Sequence, residues 1–188
     1  MIVVLLVANI AVYLLMATRT GAVSWGAATL FAWGGNLGEV SLNGEPWRLF
    51  TAMFLHASPQ HIIGNMILLL VTGSFLERKI GSPRFIAVYL ASGLAGSLLT
   101  AWEHPQVVSI GASGAIAGLL GAMLTLKLAS RAPEVSSAWM WQVIGINAIY
   151  SFAPDVDGLA HLGGFVSGLA LGALTGMHLP RVGTEPVE

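Results

Sequence analysis

The chain contains no cysteine and very little charge. Without cysteine there are no disulfides, no thiolate nucleophile and no Cys-ligated zinc or iron–sulfur centre. No His-Glu-x-x-His pair is present either, because His61 is followed four residues later by Asn65. The sequence therefore calls for no metal and no cofactor. Charged side chains make up 9% of the 188 residues, against roughly 25% in a soluble domain, too few to cover a water-facing surface. Lys and Arg number 8 against 9 Asp and Glu, so no basic field exists for a polyanion, and nucleic acid is not a partner. What the chain has is apolar surface: 55% of its residues are hydrophobic. Disorder and coiled coil are excluded by the same composition. An all-α polytopic membrane protein remains, with the lipid bilayer as its solvent.

Six apolar stretches predict six spans: Ile2–Ala17, His61–Leu76, Phe85–Trp102, Ser113–Leu128, Ala138–Ala153 and His161–Met177. They must be helices, since backbone groups in lipid have to bond within their own segment. The first lacks a basic flank and a small-x-small cleavage site, and so reads as a span rather than a signal peptide. Six of the eight basic residues (Arg78, Lys79, Arg84, Lys127, Arg131 and Arg181) fall on one side of this arrangement, which predicts that side, with both termini, to be cytoplasmic. Residues 1–180 form one membrane domain on this reading, and 181–188 a short cytoplasmic tail. Short cytoplasmic parts and no transit peptide suit a bacterial plasma membrane. The connection from Thr18 to Gln60 is too long for a simple loop and too rich in aromatics for disorder, with Trp25, Phe31, Trp33, Trp47, Phe50 and Phe54. It is predicted to be an ordered structure lying in the interface.

Polar side chains inside membrane helices are costly and point to function. Here most of them gather at the outer ends of spans two, four and six. Span two opens with the Ser58-Pro59 start signal, placing His61 in its first turn and Asn65 below it on the same face. Span four opens with Gly111-Ala-Ser113-Gly114, whose small neighbours leave the Ser113 hydroxyl accessible. Span six opens with His161 and continues with Gly164, Gly168, Gly172 and Gly176, a four-residue spacing that makes a flat stripe for close packing. If that stripe meets Gly114, Gly118 and Gly121, Ser113 faces His161 at matching depth. A hydroxyl beside a neutral imidazole is the minimal activated nucleophile. His61, Asn65 and the Ser113 N–H would supply donors to an oxyanion. The same residues read separately are also compatible with packing alone: polar contacts between helices and a serine returned to its own backbone.

Taken together these residues resemble the rhomboid family of intramembrane serine proteases. The resemblance runs over nearly the whole chain. It rests on Trp47-Arg48, on the spacing of His56, His61 and Asn65, and on Gly73, Glu77 and Gly81. Gly111-Ala112-Ser113-Gly114 and Ala160-His161-Leu162-Gly163-Gly164 complete it. It implies a six-helix bundle with a long interfacial loop between helices one and two. It also implies a Ser113–His161 dyad without a third carboxylate, in a wet cavity open to the outside. Expected partners are single-pass transmembrane protein substrates, cut in or near the membrane through an acyl-enzyme. His56, Trp47, Arg48, Glu77, Gly111, Gly114, Gly164 and Gly168 are expected to be structural. One departure stands out: four residues after the serine, where many relatives stack an aromatic ring on the histidine, this chain has Ala117. The alternative is accordingly a weak or inactive rhomboid-like protein that binds membrane clients. Span five, polar with Ser136, Ser137, Gln142, Asn147 and Ser151 and without a long glycine stripe, is expected to form the mobile gate together with the first loop, its bulky Trp141 and Phe152 holding it closed so that alanine at either raises turnover of a membrane substrate.

Overall fold

The computed structural model describes residues 1–153 and 156–179, so the tail expected at 181–188, with Arg181, lies outside the described residues. Helix α1 runs Ile2–Thr20. The long connection carries α2 (Ala27–Ala32), α3 (Gly38–Ser41) and α4 (Arg48–Thr51). A second rod consists of α5 (Pro59–Leu68), a π-helical turn Leu69–Gly73 and α6 (Ser74–Ile80). Then come α7 (Ser82–Glu103), α8 (Ser113–Leu128), α9 (Ser137–Tyr150) and α10 (Gly158–Gly176). Helices stand at all six expected positions with small shifts of boundary. Four of the rods, Ile2–Thr20, Pro59–Ile80, Ser82–Glu103 and Gly158–Gly176, are long and apolar enough to cross a membrane; α8 is apolar but shorter.

The second rod starts where its capping signal requires, the Ser58 hydroxyl accepting the His61 N–H at 3.3 Å with Pro59 in the first turn. Its π turn was not expected. At that turn the Thr72 hydroxyl donates to the Leu68 carbonyl at 2.6 Å, a side chain competing for the backbone ladder.

Helix α8 is the axis of the bundle, with 12 of its 16 residues buried. α10 lies against it along the predicted stripe. A Cβ on Gly164 would fall 1.9 Å from the Gly114 carbonyl oxygen, one on Gly168 2.0 Å from that of Gly118, and one on Gly172 2.6 Å from the Ala122 Cα. α7 closes on the other flank, where a Cβ on Gly96 would lie 2.4 Å from the Ala160 carbonyl. Large side chains such as Val4, Ile63, Leu70 and Val166 point outward. This distribution suits a hydrocarbon solvent: helices gain nothing from hiding Leu or Val there, so association relies on close backbone contact.

The connection between the first two rods is ordered. Arg48 organises it from a buried position, donating to the Phe31 carbonyl at 2.6 Å and the Gly35 carbonyl at 3.1 Å, and pairing with Glu45 at 2.5 Å. Its guanidinium lies over the rings of Phe31 and Trp47, 4.0 and 4.6 Å from their centroids. A two-residue antiparallel bridge, β1 (Asn36–Leu37) with β2 (Val108–Ser109), joins this segment to the loop before α8. α9 is the least embedded helix. Met140 is its one fully buried side chain, and Trp139 and Ile144 lean on the core. Trp141 and Phe152 are 54% and 89% exposed. They project away from the bundle and are not the wedges that their bulk suggested.

The glycine contact yields a direct expectation for stability. Gly168→Ala must push the two backbones away from each other, at a cost of about 1–3 kcal/mol or more, and lowers the melting temperature in detergent. Gly145→Ala in α9, where an added Cβ meets nothing within 4 Å, leaves the melting temperature unchanged or raises it slightly. Equal melting of the two variants would contradict the packing argument.

Candidate active site

Three helix starts converge on one small region, and Gly111 marks its centre. Gly111 has φ +112°, a conformation that L side chains avoid, and its N–H donates to the Ala52 carbonyl at 2.8 Å. A Cβ there would stand 2.8 Å from His61 Nε2 and 3.8 Å from Ser113 Oγ. Only glycine therefore lets the chain pass between the imidazole of α5 and the hydroxyl of α8. The third group arrives across the seam. Gly114, next to Ser113, comes within contact of the Ala160 carbonyl, next to His161, at 3.0 Å from its would-be Cβ.

Ser113 is the first residue of α8 and is half-buried. Its hydroxyl has no hydrogen-bond partner among the described residues, and no direct bond joins it to His161. The earliest N–H groups of α8 have no carbonyl a turn before them, and the helix dipole adds positive potential there, favouring negative charge at this end. Asn65 is buried and donates one amide hydrogen to the His61 carbonyl at 2.9 Å. An amide nitrogen carries two hydrogens, so a second remains. His161 is buried, 4% exposed. Among the described residues no aromatic ring stacks on it, as Ala117 foretold. Its Nδ1 instead lies 2.6 Å from the Ser151 hydroxyl at the end of α9. The sequence marked Ser151 only as one of several polar residues on span five.

Asp157 is a second residue whose role was not anticipated. It caps α10, accepting the Ala160 N–H at 2.9 Å and the Thr100 hydroxyl at 2.8 Å, and it also accepts from the Ser109 hydroxyl. One carboxylate thus pins the first turn of α10, and with it His161, to α7 and β2. The sequence signal was there: Asp three residues before Ala160 at a helix start. Glu77 sits at the far end of the bundle, accepting from the Ile2 N–H at 2.9 Å and the Ser82 hydroxyl at 2.6 Å. Gly164 and Gly168 belong to the seam described above. No group of His, Asp and Glu that could hold a metal occurs among the described residues.

Residues 43–178 match the Rhomboid domain family. The chain belongs to the rhomboid family. Relatives within it include RHOMBOID-like protein 1 of Arabidopsis thaliana, 42% identical over 132 residues, which are 68% of this chain and 34% of that one. Rhomboid protease GluP of Bacillus subtilis (strain 168) is 37% identical over 158 residues, 82% of this chain and 31% of that one. Rhomboid-like protease 3 of Toxoplasma gondii is 31% identical over 179 residues, 88% and 65%. The chain spans about a third to a half of the length of most of the curated relatives it matches best. Some rhomboid relatives are named proteases, and others only rhomboid-like. As a rhomboid the chain is an integral membrane protein.

His56 completes the cluster as a fully buried ring edge-on to His61, with centroids 4.9 Å apart and planes at 66°. Neither of its nitrogens has a well-formed hydrogen bond among the described residues. Burial, with the charge of His61 beside it, pushes its pKa down to about 3. The unfolded chain takes up a proton at this position below about pH 6.5, whereas the folded one does not until about pH 3. Stability present above pH 6.5 is therefore lost as pH falls across that window, with a limiting slope of about 1.4 kcal/mol per pH unit. Melting curves between pH 7 and pH 4 are expected to fall less steeply for His56→Gln than for the native chain; parallel curves would show that His56 is protonated in the fold.

Proposed function

We propose that this chain is an intramembrane serine endopeptidase in which Ser113 is the nucleophile and His161 the base. One observation carries the reading: Gly111 lies between the His61 ring of α5 and the Ser113 hydroxyl of α8, which has no partner among the described residues, while Gly114 beside that serine touches Ala160, the neighbour of His161. Protease-named relatives support it. Nε2 of His161 takes the Ser113 proton as Oγ bonds to the scissile carbonyl carbon. The oxyanion so formed receives hydrogen bonds from His61, from the second amide hydrogen of Asn65 and from the first N–H groups of α8. Collapse breaks the C–N bond, and the imidazolium gives its proton to the leaving amine. Water then attacks the ester with His161 again as base, releasing the acid and restoring Ser113. A neutral imidazole is required at both attacks, so activity falls on acidification.

Depth follows from helix length. The 16 residues of α8 rise about 24 Å across a hydrocarbon core of about 30 Å, so Ser113 sits below one membrane face, the outer one by the distribution of basic residues. Substrates are single-pass transmembrane proteins. Their scissile segments must give up helical hydrogen bonds, which favours small or helix-breaking residues in a wet cavity. They arrive laterally past α9, whose exposed faces and few buried side chains make it the most easily displaced wall.

The alternative, a rhomboid-like protein that binds clients without cutting them, draws on Ala117 and on the lack of a direct Ser113–His161 bond. A fluorophosphonate probe decides between them. Labelling of the native protein and loss of it in Ser113→Ala, together with cleavage of a model single-pass substrate that both Ser113→Ala and His161→Ala abolish, is the expected result. No labelling and no cleavage by folded native protein would overturn the protease reading. For the gate, Ile144→Ala is expected to raise turnover of the membrane substrate while leaving probe labelling of Ser113 unchanged; equal turnover would place the gate elsewhere.

A further inference from the structure

Among the described residues neither an aromatic stack nor a carboxylate holds His161. Asp157 lies only four residues away, but its oxygens are taken by Thr100, Ser109 and the Ala160 N–H. Among the described residues the one polar side chain bonded to the ring is Ser151, and its hydrogen-bond arithmetic bears on the tautomer. The Ser151 hydroxyl lies 2.7 Å from the Asn147 carbonyl oxygen and 2.6 Å from His161 Nδ1. A hydroxyl has a single proton to donate, and a carbonyl can only accept. For both contacts to be hydrogen bonds at once, the hydroxyl proton points at Asn147 and the contact with the ring runs the other way, from Nδ1–H to the serine oxygen. A neutral imidazole with its proton on Nδ1 carries its lone pair on Nε2.

We propose that Ser151 is the positioning residue of His161, accepting a hydrogen bond from Nδ1–H while donating to the Asn147 carbonyl, and that it thereby orients the ring and fixes the tautomer whose Nε2 is the base. It occupies the place that a carboxylate fills in a triad, but as an uncharged group. An uncharged partner suits a buried site: a carboxylate there would need its own compensation, whereas the hydroxyl is satisfied by its own helix. The sequence interval fits the task. Ser151 ends α9 and His161 lies in the first turn of α10, so a ten-residue connection returns the chain to the ring it supports. The assignment also accounts for Ala117: a ring anchored through Nδ1 needs no stacked neighbour to stop it turning about χ2.

The inference rests on the protease reading for its consequence but not for its geometry, and the test separates the two. In protein carrying 15N-labelled histidine, five residues report, and the His161 signals are identified by their loss in His161→Gln. The native protein is expected to show His161 protonated at Nδ1 and bare at Nε2. Ser151→Ala is expected to lose that preference and become a tautomer mixture, and Ser151→Thr to restore it. Ser151→Ala leaves the Asn147 carbonyl bonded to the residue 151 N–H at 3.0 Å, so the helix end keeps a partner and the variant folds. Cleavage and Ser113 labelling are expected to slow about tenfold in Ser151→Ala with KM unchanged, and to stay within about twofold of native in Ser151→Thr, the scale of one neutral hydrogen bond. A native His161 protonated at Nε2, or a folded Ser151→Ala with native tautomer and native kcat, overturns the proposal. If the tautomer follows Ser151 but no substrate is cut and Ser113 is not labelled, the positioning role stands and the protease reading falls.

Discussion

Two helices that touch through their backbones, with no side chain between them, set the geometry of everything else. Along Gly164, Gly168 and Gly172 the carbonyls and Cα atoms of α8 fill the space where Cβ atoms would be. In water such a contact would be a poor use of surface, since it buries little apolar area. In lipid the comparison changes. Leu against lipid is as good as Leu against Leu, and the advantage lies with whatever lets two rods approach closely enough for dense van der Waals contact. Close approach also removes slack. Helices held apart by leucines can slide by a fraction of a turn as rotamers change, whereas carbonyl oxygens set against Cα atoms fix translation and rotation together. Ser113 and His161 follow at the end of this seam, where Gly114 meets Ala160, so the relative placement of their backbones is set by the same close contact.

The seam fixes only the axes; the helix starts need their own ties, and the polar residues around them supply these. Asp157 joins the start of α10 to Thr100 of α7 and Ser109 of β2. The Gly111 N–H joins the approach to α8 to Ala52. Arg48 gathers the loop that carries Ala52, turning its carbonyls inward and covering its own charge with two rings. The β1–β2 bridge links the same two segments again. Each tie uses a group that would be expensive to leave unpaired near lipid, so satisfying hydrogen bonds and positioning the site are one operation.

How much of this was legible depended on which physical rule governed each residue. The rods were readable because bilayer thickness forces long apolar runs, and the glycine stripe because four-residue spacing survives in the sequence without any knowledge of the partner. The cluster of His61, Asn65, Ser113 and His161 was readable because buried polarity is rare enough to count. Ser151 was not. It lies among other polar residues on α9, and only coordinates show that its hydroxyl, alone of these, reaches a ring ten residues on. Side-chain direction on α9 was equally hidden. A membrane helix has apolar residues on its lipid face as well as its inner one, so bulk says nothing of which way Trp141 and Phe152 point. The π turn at Leu69–Gly73 and the two-residue strands are below the length at which periodicity carries information.

On the protease proposal these ties constrain how a substrate could pass. α9 is held to the bundle lightly along its length, but Ser151, which caps its end, is bonded to the ring of His161. A wall that swung out as a rigid body would carry Ser151 with it and leave the imidazole free to turn at the moment when its orientation matters. A wall that tilts about its Ser151 end does not. Tilting leaves the hydroxyl between Nδ1 and the Asn147 carbonyl, but it moves the Ser137 end most, where Met140 and Trp139 make contacts with the core, and the end beside Ser113 least. The helix that must yield and the helix end that must not are then the same element. A substrate segment entering past α9 beside Ser113 therefore has to displace this helix with little movement of its Ser151 end.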